Sequence, residues 1–120
     1  MKFIGLMDIE TAYGTILKNS QLTSKPLFYI LKMYKEGKAT ELGLSPYLAE
    51  ATVAHVNYLL KKKEEGKVVL GGPDQAFTHG FILLEAADVK EAKKILEADP
   101  YYVQGVFRKE YSIFPWFQVI

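Results

Sequence analysis

Two histidines and one aspartate are the side chains of this sequence best suited to moving protons. His55 lies inside a helical pattern, His79 opens an apolar run, and Asp99 directly precedes Pro100. Imidazole exchanges protons near neutral pH, and a carboxylate beside it fixes its tautomer and strengthens it as a base. Each residue taken alone also fits a structural role, as a core histidine, a surface histidine and a turn-forming aspartate. A contact between His55 and Asp99 would favour acid–base chemistry.

Other kinds of reactive centre find little support in the sequence. The chain has no cysteine, which excludes disulfides, thiolate metal sites and cysteine nucleophiles. The segment Gly71-Gly72-Pro73 lacks the Lys-Ser/Thr pair of a phosphate-binding loop, and its proline has no amide proton to donate. This segment therefore predicts a tight turn at the end of a strand. Neither a nucleophile motif nor a metal-ligand spacing is present, and we expect no metal and no cofactor.

The composition is typical of one globular domain. The 120 residues are 49% hydrophobic and 24% charged, which excludes a disordered tail and a fibrous repeat. Fifteen basic residues against fourteen acidic ones leave a net charge of +1, so a nucleic-acid partner is not expected. No apolar run approaches the roughly 18 residues of a membrane span, and the start does not resemble a signal peptide. We therefore expect a cytoplasmic protein without a membrane partner.

A long helix is predicted to position the first histidine. Ser45 followed by proline is a typical helix start, and Gly66 is a typical residue just past a helix end, so the helix covers residues 46–65. At about 100° per residue, His55 lies at the centre of the face directed at the core. The same face carries Leu48, Ala51, Thr52 and Leu59.

A second helix and four strands complete the predicted domain. The helix begins at a capping box formed by Asp88 and Glu91, and it ends near Asp99 because proline disfavours helical geometry in the residue before it. Alternating or continuous apolar runs predict the strands. The strands are expected at residues 27–34, 67–70, 79–85 and 106–114, with a turn at residues 101–105.

The first 25 residues differ in pattern from the rest. A short helix beginning at Asp8 and a polar connector at residues 19–24 predict an N-terminal extension, 1–25, packed on a domain formed by residues 26–120. The domain then has the order βαββαβ, which is an α+β fold, the ferredoxin-like sandwich. With both helices on one side of the sheet, the other apolar face needs a partner, and a second copy of the chain is the simplest one.

Several motifs in this order resemble the YCII-related family. They are His55-Val56-Asn57-Tyr58-Leu59, the run from Glu65 to Pro73, Asp99-Pro100-Tyr101-Tyr102, Gly105-Val106-Phe107 and Ile113-Phe114-Pro115-Trp116. The resemblance covers residues 27–116. It implies a ferredoxin-like fold that dimerises into an α/β barrel, as in muconolactone-isomerase-like proteins. It also implies that His55 and Asp99 form a catalytic pair in a pocket.

The leading hypothesis is a small enzyme that needs no cofactor. His55 would act as general acid and base, and Asp99 would orient it, in an isomerisation or elimination on a small organic substrate such as a cyclic or aromatic-derived compound. The residues expected to hold the substrate are Tyr58, Gly71, Gly72, Pro73, His79, Phe81, Tyr101 and Tyr102.

Two other hypotheses remain open from the sequence. The protein is a non-catalytic oligomeric module that binds a small metabolite, with the His55–Asp99 pair as a polar anchor, or the pair is purely structural and the protein acts through assembly. Dimeric barrels host both catalysis and binding, so the fold does not decide between them. All three hypotheses predict a homodimer or a larger homo-oligomer.

Overall fold

A four-stranded antiparallel sheet forms the centre of the computed structural model, which describes residues 1–25 and 27–120. The strands are β1 (Lys2–Ile9), β2 (Val68–Pro73), β3 (His79–Glu85) and β4 (Phe107–Trp116). The helices are α1 (Thr11–Asn19), α2 (Leu27–Lys35), α3 (Pro46–Glu64), α4 (Val89–Glu97) and the short α5 (Pro100–Val103). Two 3₁₀ turns, Gln21–Thr23 and Ala39–Leu42, flank α2.

The strands lie side by side in the order β2-β3-β1-β4. One group of helices connects β1 to β2, a hairpin connects β2 to β3, and a second group connects β3 to β4. This is the βαββαβ arrangement of the ferredoxin-like sandwich, so the predicted fold class is confirmed. Within the described ranges, no helix is long and apolar enough to cross a membrane.

The first strand of the sandwich is not the one that the sequence predicted. Residues 27–34 lie in the helix α2, so their assignment as a strand is wrong. The strand is β1, which pairs with β3 on one side and with β4 on the other. A short run that is apolar on both faces suits a buried helix as well as a strand, and periodicity alone does not separate the two.

The N-terminal residues are therefore part of the domain, which corrects the predicted extension over residues 1–25. Every second residue of β1 is buried, as a half-covered strand requires. The predicted short helix is present as α1, but it follows Glu10, since Asp8 is still part of β1. The predicted domain start at residue 26 lies outside the described residues.

The later elements follow the prediction closely. Ser45 accepts a hydrogen bond from a backbone amide in the first turn of α3, and Gly66 adopts a φ of 75° just beyond its end. Asp88 accepts a hydrogen bond from the Glu91 amide at the start of α4. The expected strands at 67–70, 79–85 and 106–114 correspond to β2, β3 and β4. Two predicted turns differ. The segment Gly71-Gly72-Pro73 is the end of β2 itself, paired with β3, and α5 occupies most of the turn expected at 101–105.

One face of the sheet carries the core and the other face is open. The buried face includes Phe3, Met7, Ile9, Ile82 and Leu84. Cross-strand pairing on the opposite face brings four apolar residues into one row, in the order Leu70, Leu83, Ile4 and Phe114. Leu70 is 59% exposed and Phe114 is 43% exposed. A row of this kind is an unusual surface for a single chain in water.

Gly14 allows α1 to approach the loop between β2 and β3. A Cβ atom at this position would lie 2.5 Å from the backbone carbonyl oxygen of Phe77 and 3.4 Å from a methyl group of Ile9. The glycine in the middle of the helix is therefore explained by close packing against backbone, which cannot move aside as a flexible side chain could.

We predict that Gly14→Ala lowers the free energy of unfolding by about 1–3 kcal/mol, because overpacking against backbone forces a shift of the loop. The change is informative because helix propensity alone would favour alanine by roughly 1 kcal/mol. Chemical denaturation of both proteins gives the comparison. Thr15→Ala, at an exposed position of the same helix, serves as the control and should change stability by less than about 0.5 kcal/mol. A Gly14→Ala protein as stable as the wild type would contradict this account.

Candidate active site

His55 of α3 contacts the carboxylate of Asp99, the residue just before α5. Its Nδ1 atom lies 2.7 Å from Oδ1 and 2.8 Å from Oδ2. Asp99 is only 1% exposed, and its Oδ1 also accepts a hydrogen bond from the backbone amide of Tyr101 at 2.9 Å. A buried carboxylate requires such donors, since leaving it unpaired would cost several kcal/mol. The His55 contact joins α3 to α5, and the hydrogen bond from the Tyr101 amide makes Asp99 the N-terminal cap of α5.

This contact distinguishes the two nitrogen atoms of the His55 ring. A carboxylate can only accept hydrogen bonds, so we assign the proton of the neutral imidazole to Nδ1. In the part of the chain that the structure describes, no group forms a hydrogen bond with Nε2, and the ring lines a cavity. Nε2 therefore carries the lone pair and can take up a proton from a bound molecule and return it.

Aromatic rings hold the plane of the imidazole. The Tyr101 ring stacks on it with centroids 3.9 Å apart and planes inclined by 3°, and the Phe107 ring meets it edge-on at 5.5 Å. The hydroxyl groups of Tyr101 and Thr52 are hydrogen-bonded at 2.6 Å. Burial raises the pKa of Tyr101 well above its ordinary value, so its phenol stays neutral across the physiological range. The rings leave His55 little freedom to rotate.

The cavity beside His55 has a volume of about 210 Å³. Apart from the imidazole and the hydroxyl groups of Thr52 and Tyr101, its side chains are apolar, including those of Ile9, Phe77 and Phe107. An apolar protein cavity of about 150 Å³ is large enough to bind benzene. The space beside Nε2 therefore accommodates a single substituted ring.

The structure brings about half of the predicted site residues together. His55, Gly72, Pro73, Phe81 and Tyr101 line the cavity. Asp99 does not line it and contacts His55 through Nδ1 instead. Tyr58, Gly71, His79 and Tyr102 do not line it.

The tyrosines outside the cavity have structural contacts of their own. The hydroxyl of Tyr58 donates a hydrogen bond of 2.6 Å to the Ile95 carbonyl, which connects α3 to α4. Burial, followed by the negative charges of Asp99 and Glu65, raises the pKa of Tyr58 to about 12. Tyr102 lies at the surface beneath the ammonium group of Lys109, which is 4.2 Å from the ring centre.

His79 belongs to a separate cluster at the start of β3. Its Nε2 lies 3.3 Å from Asp8, and its Nδ1 lies 2.9 Å from the Thr78 hydroxyl and 3.4 Å from Asp74. Hydrogen bonds, above all from the Thr78 hydroxyl, lower the pKa of Asp74 to about 2. Both ring nitrogens of His79 thus have protein partners, which leaves none for a substrate.

Several cavity residues were not predicted as site residues from the sequence, among them Thr52, Phe77 and Phe107. Thr52 lies three positions before His55 on the same predicted helix face, so the helical period held the signal. Phe107 was visible as an inward residue of the last strand. Phe77 carried no signal, because its place depends on a loop whose conformation the sequence pattern does not specify.

Comparison with known proteins agrees with these observations. The family model of the YCII-related domain matches residues 27–117, which confirms the resemblance found in the motifs. No curated protein matches the sequence.

A solved structure with the same fold is 5-chloro-2-hydroxyhydroquinone dehydrochlorinase from Burkholderia phenoliruptrix AC1100 in complex with 2,5-dihydroxybenzoquinone. It shares 19% sequence identity with a TM-score of 0.57, and the match covers 98% of this chain and 94% of that chain. At this identity the likeness establishes the fold, which is the ferredoxin-like fold of dimeric α/β barrels.

The assigned tautomer of His55 leads to a spectroscopic prediction. Neutral His55 should carry its proton on Nδ1 in the wild type, whereas in Asp99→Asn the neutral amide can cap α5 but no longer attracts that proton, so the Nε2-protonated form becomes populated. Long-range ¹H–¹⁵N correlation spectra distinguish the two forms. Because the chain has two histidines, His79→Gln assigns the His55 signals. A wild-type His55 protonated on Nε2 would contradict the assignment.

Proposed function

Because the chain belongs to the YCII-related domain family, we propose that it is an acid–base enzyme acting on a small organic ring compound. His55 is the general acid and base, through Nε2, and Asp99 orients the ring and stabilises its protonated form. The observation that carries this proposal is the ring nitrogen that has no partner among the described residues and lies beside an apolar cavity of about 210 Å³. A nitrogen that has no protein partner and faces a cavity is free to bind a ligand, as a general acid and base requires.

The chemistry follows from the two states of the imidazole. Nε2 takes a proton from a carbon or oxygen of the substrate, and the Asp99 carboxylate 2.7 Å from Nδ1 stabilises the resulting imidazolium. Return of the proton to another atom of the substrate completes an isomerisation. In an elimination the leaving group departs with its electron pair, and Nε2 then releases the proton to that group or to water. The structural neighbour is a dehydrochlorinase, and loss of hydrogen chloride is an elimination of this kind. The proton transfer itself needs only the two side chains.

A hydroxyl pair can orient a substrate oxygen in this mechanism. The Thr52 and Tyr101 hydroxyl groups are 2.6 Å apart, and both residues line the cavity. One hydroxyl donates its proton to the other, so the pair keeps a second proton for the substrate. We expect this pair to hold a substrate oxygen in place of Gly71, which does not line the cavity.

Exchange of substrate protons tests the proposal directly. Chlorinated hydroquinones, hydroxyquinones and small lactones are incubated in deuterated buffer, and ¹H NMR follows deuterium uptake and product formation. His55→Gln should slow the reaction by about 10²–10⁴-fold, the usual contribution of a general acid–base group, and Asp99→Asn should slow it less. The control His79→Gln should react at the wild-type rate. Compounds that bind without reacting would contradict catalysis and support a metabolite-binding module.

We further propose that two copies pair through the open face of the sheet. The row of Leu70, Leu83, Ile4 and Phe114 is apolar, and partly exposed at both ends. The fold is that of proteins in which two such sheets face each other. A second copy would remove this row from water, with a gain of about 25 cal/mol for each Å² of apolar surface buried.

A charge placed in the row should separate the copies. Phe114→Asp should convert a dimer of the wild type into a monomer at micromolar concentration, measured by light scattering after size exclusion. The matched control is Val103→Asp, which also places a carboxylate at an exposed apolar position, 63% exposed, but lies on α5 away from the sheet. A wild type that is monomeric, or an equal effect of both changes, would contradict pairing through this face.

A further inference from the structure

Phe77 occupies an unusual position in the loop between β2 and β3. Its φ of 54° is the one positive value at a non-glycine residue in the described ranges. A phenylalanine rarely adopts this left-handed conformation, and such residues concentrate at functional sites. Phe77 is half-buried and lines both the cavity beside His55 and a second, outer cleft. Phe77 and Ile9 are the residues that the two spaces share.

The loop holds this conformation through several hydrogen bonds. Asp74 accepts bonds from the backbone amides of Thr78 at 2.8 Å and His79 at 3.2 Å. The Ile9 amide donates a bond of 2.9 Å to the Thr78 carbonyl, and the Phe77 carbonyl packs where a side chain of Gly14 would be. Phe77 is therefore a fixed partition between the two spaces.

The two sides of this partition differ in polarity. The inner cavity is mostly apolar, whereas the outer cleft, of about 540 Å³, is lined by charged side chains. Arg108 pairs with Glu10 at 3.2 Å, and the Asp8 carboxylate lies 3.3 Å from Nε2 of His79 at one end of the cleft. Lys18 also lines the cleft and forms no ion pair with any described residue. The Lys18 ammonium group therefore offers a partner to an anionic group, which the inner space would exclude by desolvation.

We propose that Phe77 is a specificity-determining residue that restricts the site at His55 to uncharged compounds of a single ring. Its removal joins the two spaces, and a ring compound that carries a carboxylate on a second ring then extends past Ile9 toward Lys18. This inference rests on the proposed use of the cavity as a substrate site.

Three probes separate ring size from charge. They are phenol, 2-naphthol and 2-naphthoate, and their dissociation constants are measured from NMR shift changes of His55. The wild type should bind phenol at least tenfold more tightly than either naphthalene compound. Phe77→Gly removes the ring and also suits the positive φ, so it avoids the strain that Phe77→Ala would keep. It should bind 2-naphthol and 2-naphthoate at least tenfold more tightly than the wild type does.

Two further variants test whether the second ring of the ligand enters the outer cleft. Adding Lys18→Gln to Phe77→Gly should remove most of the gain for 2-naphthoate and leave the gain for 2-naphthol. Leu22→Ala enlarges the inner cavity without reaching the cleft, and it should not improve 2-naphthoate binding. The proposal is overturned if phenol does not shift the His55 signals, if the wild type binds 2-naphthoate as tightly as Phe77→Gly does, or if Leu22→Ala gives the same gain.

The outcomes of these measurements distinguish the role of Phe77 from the proposed reaction. The expected binding pattern without turnover of any compound would contradict the enzyme and leave the role of Phe77 in place. Turnover by the wild type with unchanged selectivity in Phe77→Gly would support the enzyme and contradict the role of Phe77.

Discussion

The buried carboxylate of Asp99 imposes a constraint on much of the surrounding structure. At 1% exposure it needs hydrogen-bond donors from the protein, and it takes them from His55 on α3 and from the backbone at the start of α5. One carboxylate thus connects two helices, caps one of them and determines which nitrogen of the imidazole faces the cavity. The stability of this region and its capacity for proton transfer have the same physical origin, namely the cost of burying an unpaired charge.

The last residue of the central strand β1 forms part of the cavity wall. Ile9, at the end of this strand, lines the cavity, and its amide holds the loop that carries Phe77. Gly14 on the following helix lets the same loop approach. The N-terminal residues therefore build part of the site wall, although the family match begins only at residue 27.

The two histidines have different contacts, and these contacts give them different roles. His55 is held by a buried carboxylate on one nitrogen and by stacked rings on its faces, and the other nitrogen meets an apolar space. His79 is more exposed and has partners on both nitrogens, two of them carboxylates. The first arrangement suits a proton-transfer group, whereas the second suits the anchoring of a loop.

The sequence by itself determined the long helix that carries His55 and indicated His55 and Asp99 as candidates, because caps, prolines and helical periods are local signals, and its resemblance to the family implied the fold class and the catalytic pair. It misassigned residues 27–34 and the place of residues 2–9, since an apolar run satisfies a helix and a strand equally until its neighbours are known. Only the tertiary structure decided that Tyr58 and Tyr102 lie outside the cavity while Thr52, Phe77 and Phe107 line it. The helical period already placed Thr52 on the face of His55, whereas the positions of Phe77 and of the two tyrosines depend on one positive φ and on packing between distant segments, which no local pattern encodes.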